Sequence, residues 1–485
     1  MYFNKNNIYE KLLFLSSILT ITIFLIRFSN TISIFELKHL FSSGFEEESL
    51  LSIWYKIYNQ NLYVDHLEYP YRWSIYNWLF YDLYSYFFII IKKIFNIDFI
   101  WLPNTLRILT LLGTIFIAIT FLKSSLILNS KTKTNFHLII LVLFGLSFGY
   151  WNMTVRPDVL SLLFEAIAIY IFIKNLKKKQ IFQIIIIALL LYISWSFKQT
   201  SLITLVSINI FWLFNKEFKK IFFFNLTYLS LVFITVFINS DFYLKSIYFF
   251  DTFYVFNIRI YLLNLSKIFI KNIFLIISFT IFLFIYFKNF KKKIFDLNFF
   301  LVVGSILSLI YILYVFTNAG ASENHSFIML YYLSLLLINN EKIILENNNY
   351  KNILSCSLII YIFACILILS NQLGRLSPKY YLEIRNYIKC INEKKLGNKI
   401  FIDSNYHSLP WITNYLNPTV TTYNYQFELK NNRLKDGGHE GLMGEGFFDN
   451  LILINPKKFN LKKYEKIDQC NKFKIYKLVD SFNNN

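Results

Sequence analysis

Residues Lys11–Asn30 read KLLFLSSILTITIFLIRFSN, and residues Gly44–Trp78 read GFEEESLLSIWYKIYNQNLYVDHLEYPYRWSIYNW. The first stretch is apolar over a length that suits a bilayer crossing, about 20 residues. The second gathers Glu46, Glu47 and Glu48, an aromatic run with helical spacing, and then Asp65, His66, Glu68, Tyr69 and Arg72. Basic residues precede the apolar run as in a signal peptide, but no small-residue cleavage site follows it, so an uncleaved anchor with its N-terminus inside is expected. An oily segment followed by a carboxylate loop sets the question for the rest of the chain.

The 485 residues are 56% hydrophobic and 16% charged, with 54 Phe and 35 Tyr, outside the balance of a soluble globular protein. Apolar runs recur from Leu12 to Asn371. They predict an all-α polytopic bundle of about eleven to thirteen spans. After the first, the spans fall near 76–94, 101–122, 136–154, 157–174, 181–197, 200–214, 221–239, 267–287, 297–316, 326–339 and 353–371. The net charge of +20 does not imply nucleic-acid binding, because the lysines cluster at the ends of apolar runs. KNLKKK (Lys174 to Lys179), NKEFKK (Asn215 to Lys220) and KNFKKK (Lys288 to Lys293) read as cytoplasmic by the positive-inside bias. They place the loops at 155–158, 240–266 and 317–325 outside, and the tail with them. Twelve crossings from an inside N-terminus would return the tail to the cytoplasm, so one segment is misassigned. The region 76–135 is the suspect.

Two domains are expected: residues 1–372 in the membrane, with a first extracytoplasmic loop at 29–75, and a small α/β domain at 373–485. In the tail KYYLEIRNYIKCINEKK has helical periodicity, KIFIDS, NLILIN and FKIYKLV read as strands, and KDGGHEGLMGEG reads as a Gly-rich loop between them. That loop has neither phosphate-binding glycine pattern. Cys390 and Cys470 could pair if the tail is extracytoplasmic.

Ionisable groups are costly in lipid, about 2.5 to 3.5 kcal/mol at a helix centre on insertion scales. Where the chain tolerates them is therefore informative. By the expected topology they collect on one face: the first-loop acids, Arg156 and Asp158 in TVRPDVL, Lys198 in SWSFKQTS, and Glu323 with His325 in NAGASENHS. Each has a plain structural alternative. Three glutamates suit a helix start, Pro157 and Asp158 make another, and Lys198 could anchor at the interface. His325 has no second histidine at ligand spacing.

The order of these pieces resembles the GT-C superfamily of polytopic glycosyltransferases, the group related to protein mannosyltransferases. The resemblance rests on GFEEESLLSIWYKIYNQNLY, YPYRWSIYNWLFY, RPDVLSLLFEAIAIYIF, SFKQTSLITL and NAGASENHSFIMLYYLSLL in succession, over Gly44 to Leu337. It implies transfer of a hexose or pentose, with inversion, from a polyprenyl-phosphate donor to a glycan, lipid or protein acceptor outside a bacterial inner membrane. It also implies that an acidic residue of the first loop is catalytic. Spacing to NLY matches Glu46, with Glu47 and Glu48 as close competitors. Many relatives have Asp there.

The residues make chemical sense of that implication. An acceptor hydroxyl needs a carboxylate to take its proton, whereas a phosphate leaving group needs only charge neutralisation. Arg72, Lys198 and Arg156 are the phosphate candidates, in that order. Asp65, His66, Glu68, Tyr69, Asp158, Glu323 and His325 are further site candidates. These residues name no certain cofactor, and a divalent metal stays open. The competing class is a transporter or lipid flippase, which would be expected to show internal repeats and Gly/Pro-broken helices.

Overall fold

In lipid every backbone polar group must be satisfied within the segment, so long apolar runs become helices. The computed structural model describes residues 8–32, 44–71, 73–128, 132–149, 151–176, 180–239, 241–248, 257–288, 296–317, 323–373, 390–391, 393–394, 396–403, 419–420, 423–470 and 473–479. The helices are α1 (Ile8–Thr31), α2 (Gly44–Ile57), α3 (Trp78–Phe95), α4 (Leu102–Leu128), α5 (Thr132–Leu143), α6 (Asp158–Lys174), α7 (Ile181–Phe197) and α8 (Ile203–Phe214). They continue with α9 (Phe218–Ile238), α10 (Asp241–Ile247), α11 (Ile258–Lys271), α12 (Ile273–Lys288), α13 (Leu297–Val315), α14 (Phe327–Leu345) and α15 (Asn348–Leu373).

Six helical segments among the described residues are long and apolar enough to cross a membrane alone: Ile8–Ser29, Leu102–Leu128, Phe218–Ile238, Leu297–Val315, Glu323–Leu345 and Asn348–Ser370. The pair α11 and α12 makes a seventh if counted as one span bent by 81°. Its bend falls at Asn272, whose amide donates to Ser147 Oγ at 2.7 Å and to the Ile268 carbonyl at 2.9 Å. Shorter apolar helices, Thr134–Leu143, Ile181–Phe197 and Ile203–Phe214, pack among the long ones. The chain is an integral membrane protein.

By contact the chain forms two units. The first comprises Met1–Asn30, Arg107–Ile238 and Phe253–Leu376. Within it α6 packs on α7, α7 on α9, α13 on α8 and α14, and α12 on α14 and α15. The most apolar stretch of Glu323–Leu345 is 78% buried, against 17% for α9, so α14 is the centre and α9 an outer rim. Phe222, Leu226, Leu229, Phe233 and Phe237 of α9 are exposed, as a lipid-facing surface requires. Close approach at the centre depends on Gly304 of α13, where a Cβ would run into the Tyr332 ring of α14.

The second unit comprises Thr31–Leu106, Asn239–Thr252 and Ser377–Asn485. Its sheet has the order β2-β1-β3-β5-β4, with β1 (Ile400–Asp403) parallel to β2 (Thr419–Val420) and β3 (Asn450–Leu453). β5 (Phe473–Leu478) runs antiparallel to β3 and to β4 (Tyr464–Cys470). Three of these strands coincide with the expected KIFIDS, NLILIN and FKIYKLV. Cys390 and Cys470 form a disulfide. KYYLEIRNYIKCINEKK lies largely outside the described residues.

The Gly-rich stretch is a correction. It is not a loop but a 3-10 turn, Lys435–Gly437, leading into the helix Gly438–Glu445. His439, Leu442 and Met443 bury one face of that helix, and Gly446, at φ 79°, closes its end in the left-handed conformation that glycine tolerates. The helix α3 also departs from a simple span. It carries Asp82, Lys92 and Lys93, buries Phe80, Tyr81, Tyr84 and Phe88 on one side, and falls in the second unit.

The first loop belongs to the same unit as the tail. Tyr71 and Trp73 share one hydrophobic core with Phe401, Tyr425, Met443 and Phe448. Burial of such large aromatic groups supplies most of the adhesion.

Candidate functional site

In the second unit, α2 begins at Gly44 with the three glutamates in its first turn, where acids favour the helix dipole. Glu46 is 1% exposed and Glu48 4%, so neither is the solvated helix start that composition alone would favour. The Glu47 side chain and Arg72 lie outside the described residues. Lys56 of α2 pairs with Asp82 of α3 at 2.7 Å and fixes that helical pair.

The remaining first-loop candidates hold the loop to the tail. Asp65 accepts from the Leu67 amide at 3.0 Å and stands 3.8 Å from the Lys435 ammonium, which also pairs with Glu68. The Lys435 backbone is held as well: its amide donates to the Leu67 carbonyl at 2.9 Å, and its carbonyl accepts from the Tyr71 hydroxyl at 2.8 Å. Tyr69 packs edge-on to Phe447 at 4.7 Å. His66 is buried beside Trp73, ring centroids 5.6 Å apart. Burial lowers its pKa below the usual histidine value, with Asp65 pulling weakly the other way.

In the first unit, sequence-distant candidates converge. Arg156 precedes α6, Asp158 begins it, and Lys198 follows α7 in extended conformation. α6 and α7 approach closely because serines face one another: Ser161 Oγ lies 2.9 Å from Ser194 Oγ and also bonds Ser201. Asp158 therefore meets the Lys198 ammonium at 2.5 Å, Asn324 Nδ2 at 2.7 Å and Arg156 Nε at 3.2 Å. The three charged side chains are only 3%, 11% and 8% exposed for Asp158, Lys198 and Arg156. The Arg156 guanidinium also sits 4.8 Å from the Trp151 ring centroid. Two cations around one carboxylate leave a net charge of +1 in a setting where charge is weakly screened.

This cluster borders a partly open pocket lined also by Glu165, Thr200, Tyr311 and His325. His325 Nδ1 lies 2.9 Å from the Tyr311 hydroxyl. Glu323 instead pairs with Lys271 at 2.5 Å. The structure thus brings Asp158, Lys198 and His325 to one pocket, with Arg156 held to Asp158 beside it. Sequence reasoning missed Glu165 and Asn324. The signal for Glu165 was present: an acid at mid-span, seven residues after Asp158 and therefore on its face of the helix. Among the described residues no three His, Cys, Asp or Glu side chains converge to hold a metal.

These elements define a polytopic membrane protein of the GT-C fold class. A solved structure that shares the fold is ArnT from Cupriavidus metallidurans bound to undecaprenyl phosphate, with a TM-score of 0.62 and 8% identity, covering 96% of this chain and 98% of that one. At that identity the likeness is one of fold. No family model matches the sequence, and no curated protein does.

Proposed function

We propose that this chain transfers a sugar from a polyprenyl-phosphate carrier to an acceptor outside the membrane. The observation that carries the reading is the buried cluster of Arg156, Asp158 and Lys198, net positive, beside a polar pocket within a membrane unit. An anionic donor that travels in lipid needs such a place, because a phosphate is stabilised by charge-assisted hydrogen bonds away from bulk water. The fold likeness supports the same donor class, since the ArnT crystal contains undecaprenyl phosphate. The extracytoplasmic side is supported by the Cys390–Cys470 disulfide and by the lysine clusters.

In the reaction the acceptor hydroxyl oxygen attacks the anomeric carbon while the bond to the phosphate oxygen breaks. The hydroxyl proton passes to a first-loop carboxylate, Glu46, Glu47 or Glu48. The phosphate leaves with the bonding electrons, and Arg156 and Lys198 offset its charge. A single displacement inverts the anomeric centre.

The test is the full chain in nanodiscs, supplied with labelled polyprenyl-phosphate sugars and membrane acceptors, alongside Glu46→Gln, Glu47→Gln and Glu48→Gln. Transfer from at least one donor is expected. One of the three variants should lose roughly 100-fold or more, the usual worth of a general base. If every variant inserts normally and transfers at the parent rate, the carboxylate assignment is wrong.

A further inference from the structure

Glu165 lies two turns along α6 from Asp158, with Ser161 and Leu162 between them on the same face, and all four border the pocket. Its side chain is 3% exposed, and its Oε1 has no hydrogen-bond partner among the described residues. The nearby cation, Lys198, is committed to Asp158. Leu or Met would fill the same place on α6 without burying a polar oxygen that needs a partner. A carboxyl group so placed is complete only when something entering the pocket donates a hydrogen bond to it.

The rest of the lining says what can enter. Thr200, Ser201 and Tyr311 bring hydroxyls to the wall, while Leu162, Ile203 and Phe327 supply apolar surface. That mixture fits a sugar ring, whose rim carries hydroxyl groups and whose faces carry C–H bonds.

We propose that Glu165 is a specificity residue for the transferred sugar: its carboxyl accepts a hydrogen bond from one hydroxyl or amino group of the ring and so selects sugars with a donor at that position. This rests on the reading that the pocket receives the sugar of the polyprenyl-phosphate donor. It adds to that reading a residue, a bond and a preference.

The experiment uses the full chain in nanodiscs, with the preferred donor, its single-deoxy analogues and, where the sugar bears an amine, the hydroxyl counterpart. The parent protein should reject one deoxy analogue by roughly 100-fold or more, as sites built around a polar group do. Glu165→Met, which removes the acceptor while filling the space, should raise KM for the full donor about tenfold or more and reduce discrimination at that one position to within about threefold. Discrimination at other ring positions and binding of sugar-free polyprenyl phosphate should not change. Glu165→Asp, which keeps the carboxyl but withdraws it, should fall between. Unchanged discrimination at every position in Glu165→Met overturns the proposal while leaving sugar transfer intact, as does equal weakening toward sugar-free polyprenyl phosphate.

If the parent transfers no sugar, methyl glycosides of the same panel decide the matter by thermal protection. Protection of the parent that Glu165→Met lacks sustains the pocket assignment and sinks the transfer reading alone. Absence of protection by any glycoside overturns both.

Discussion

At the scale of single residues, the cluster around Asp158 shows why the site is unforgiving. Removing one member of a buried ion pair leaves an uncompensated charge, at a cost of about 3 to 5 kcal/mol. Asp158→Asn should therefore lower the unfolding midpoint sharply, because Lys198 and Arg156 would face each other without the carboxylate. Adding Lys198→Met should recover much of the loss, since one cation and its conflict are gone. Thermal unfolding of the two variants in nanodiscs checks this; a double variant no more stable than Asp158→Asn would refute it. Sequence order already pointed to Arg156, Asp158, Lys198 and His325, because charge in an apolar chain is conspicuous. It could not show that one aspartate binds both cations, since residues 158, 198 and 324 meet only through helix packing. Nor did it separate Asp65 and Glu68, which engage Lys435, from the buried Glu46 and Glu48. Those four acids look alike until burial is known.

At the scale of elements, the contact between α13 and α14 is set by the absence of a side chain. A Cβ on Gly304 meets the Tyr332 ring, and the Tyr332 hydroxyl donates to Thr204 Oγ1 at 3.2 Å. Gly304→Val should cost about 1 to 3 kcal/mol, the usual penalty for overpacking. Tyr332→Leu in the same chain should relieve the clash, so the two substitutions should be non-additive in a double-mutant cycle. Additive losses would mean that the ring moves away freely. Long apolar helices and three tail strands were legible because their periodicity is strong. The helix at Gly438–Glu445 was not, since five of its neighbours or members are glycines that normally break helices, and tertiary burial of Leu442 and Met443 overrode that.

At the scale of the whole molecule, the tail is tied by a covalent link as well as by packing. The Cys390–Cys470 disulfide closes 80 residues of chain. Breaking it by Cys390→Ser should cost about 2 to 5 kcal/mol within the second unit. Limited proteolysis should then cut the tail faster while the helices of the first unit keep their protection; equal rates in the parent and the variant would contradict the estimate. The division into two units was only partly readable, because the first loop and the tail are far apart in sequence and share no pattern that announces their pairing. That separation has a consequence for how the protein is made. Tyr71 and Lys435 are 364 residues apart, and at about 5 to 20 residues per second of synthesis the loop waits roughly twenty to seventy seconds for its clasp. During that interval Tyr71 and Trp73 have no core to enter. A chain cut before Lys435 lacks the carbonyl that Tyr71 bonds, so the first loop acquires that hydrogen bond only after the tail is made.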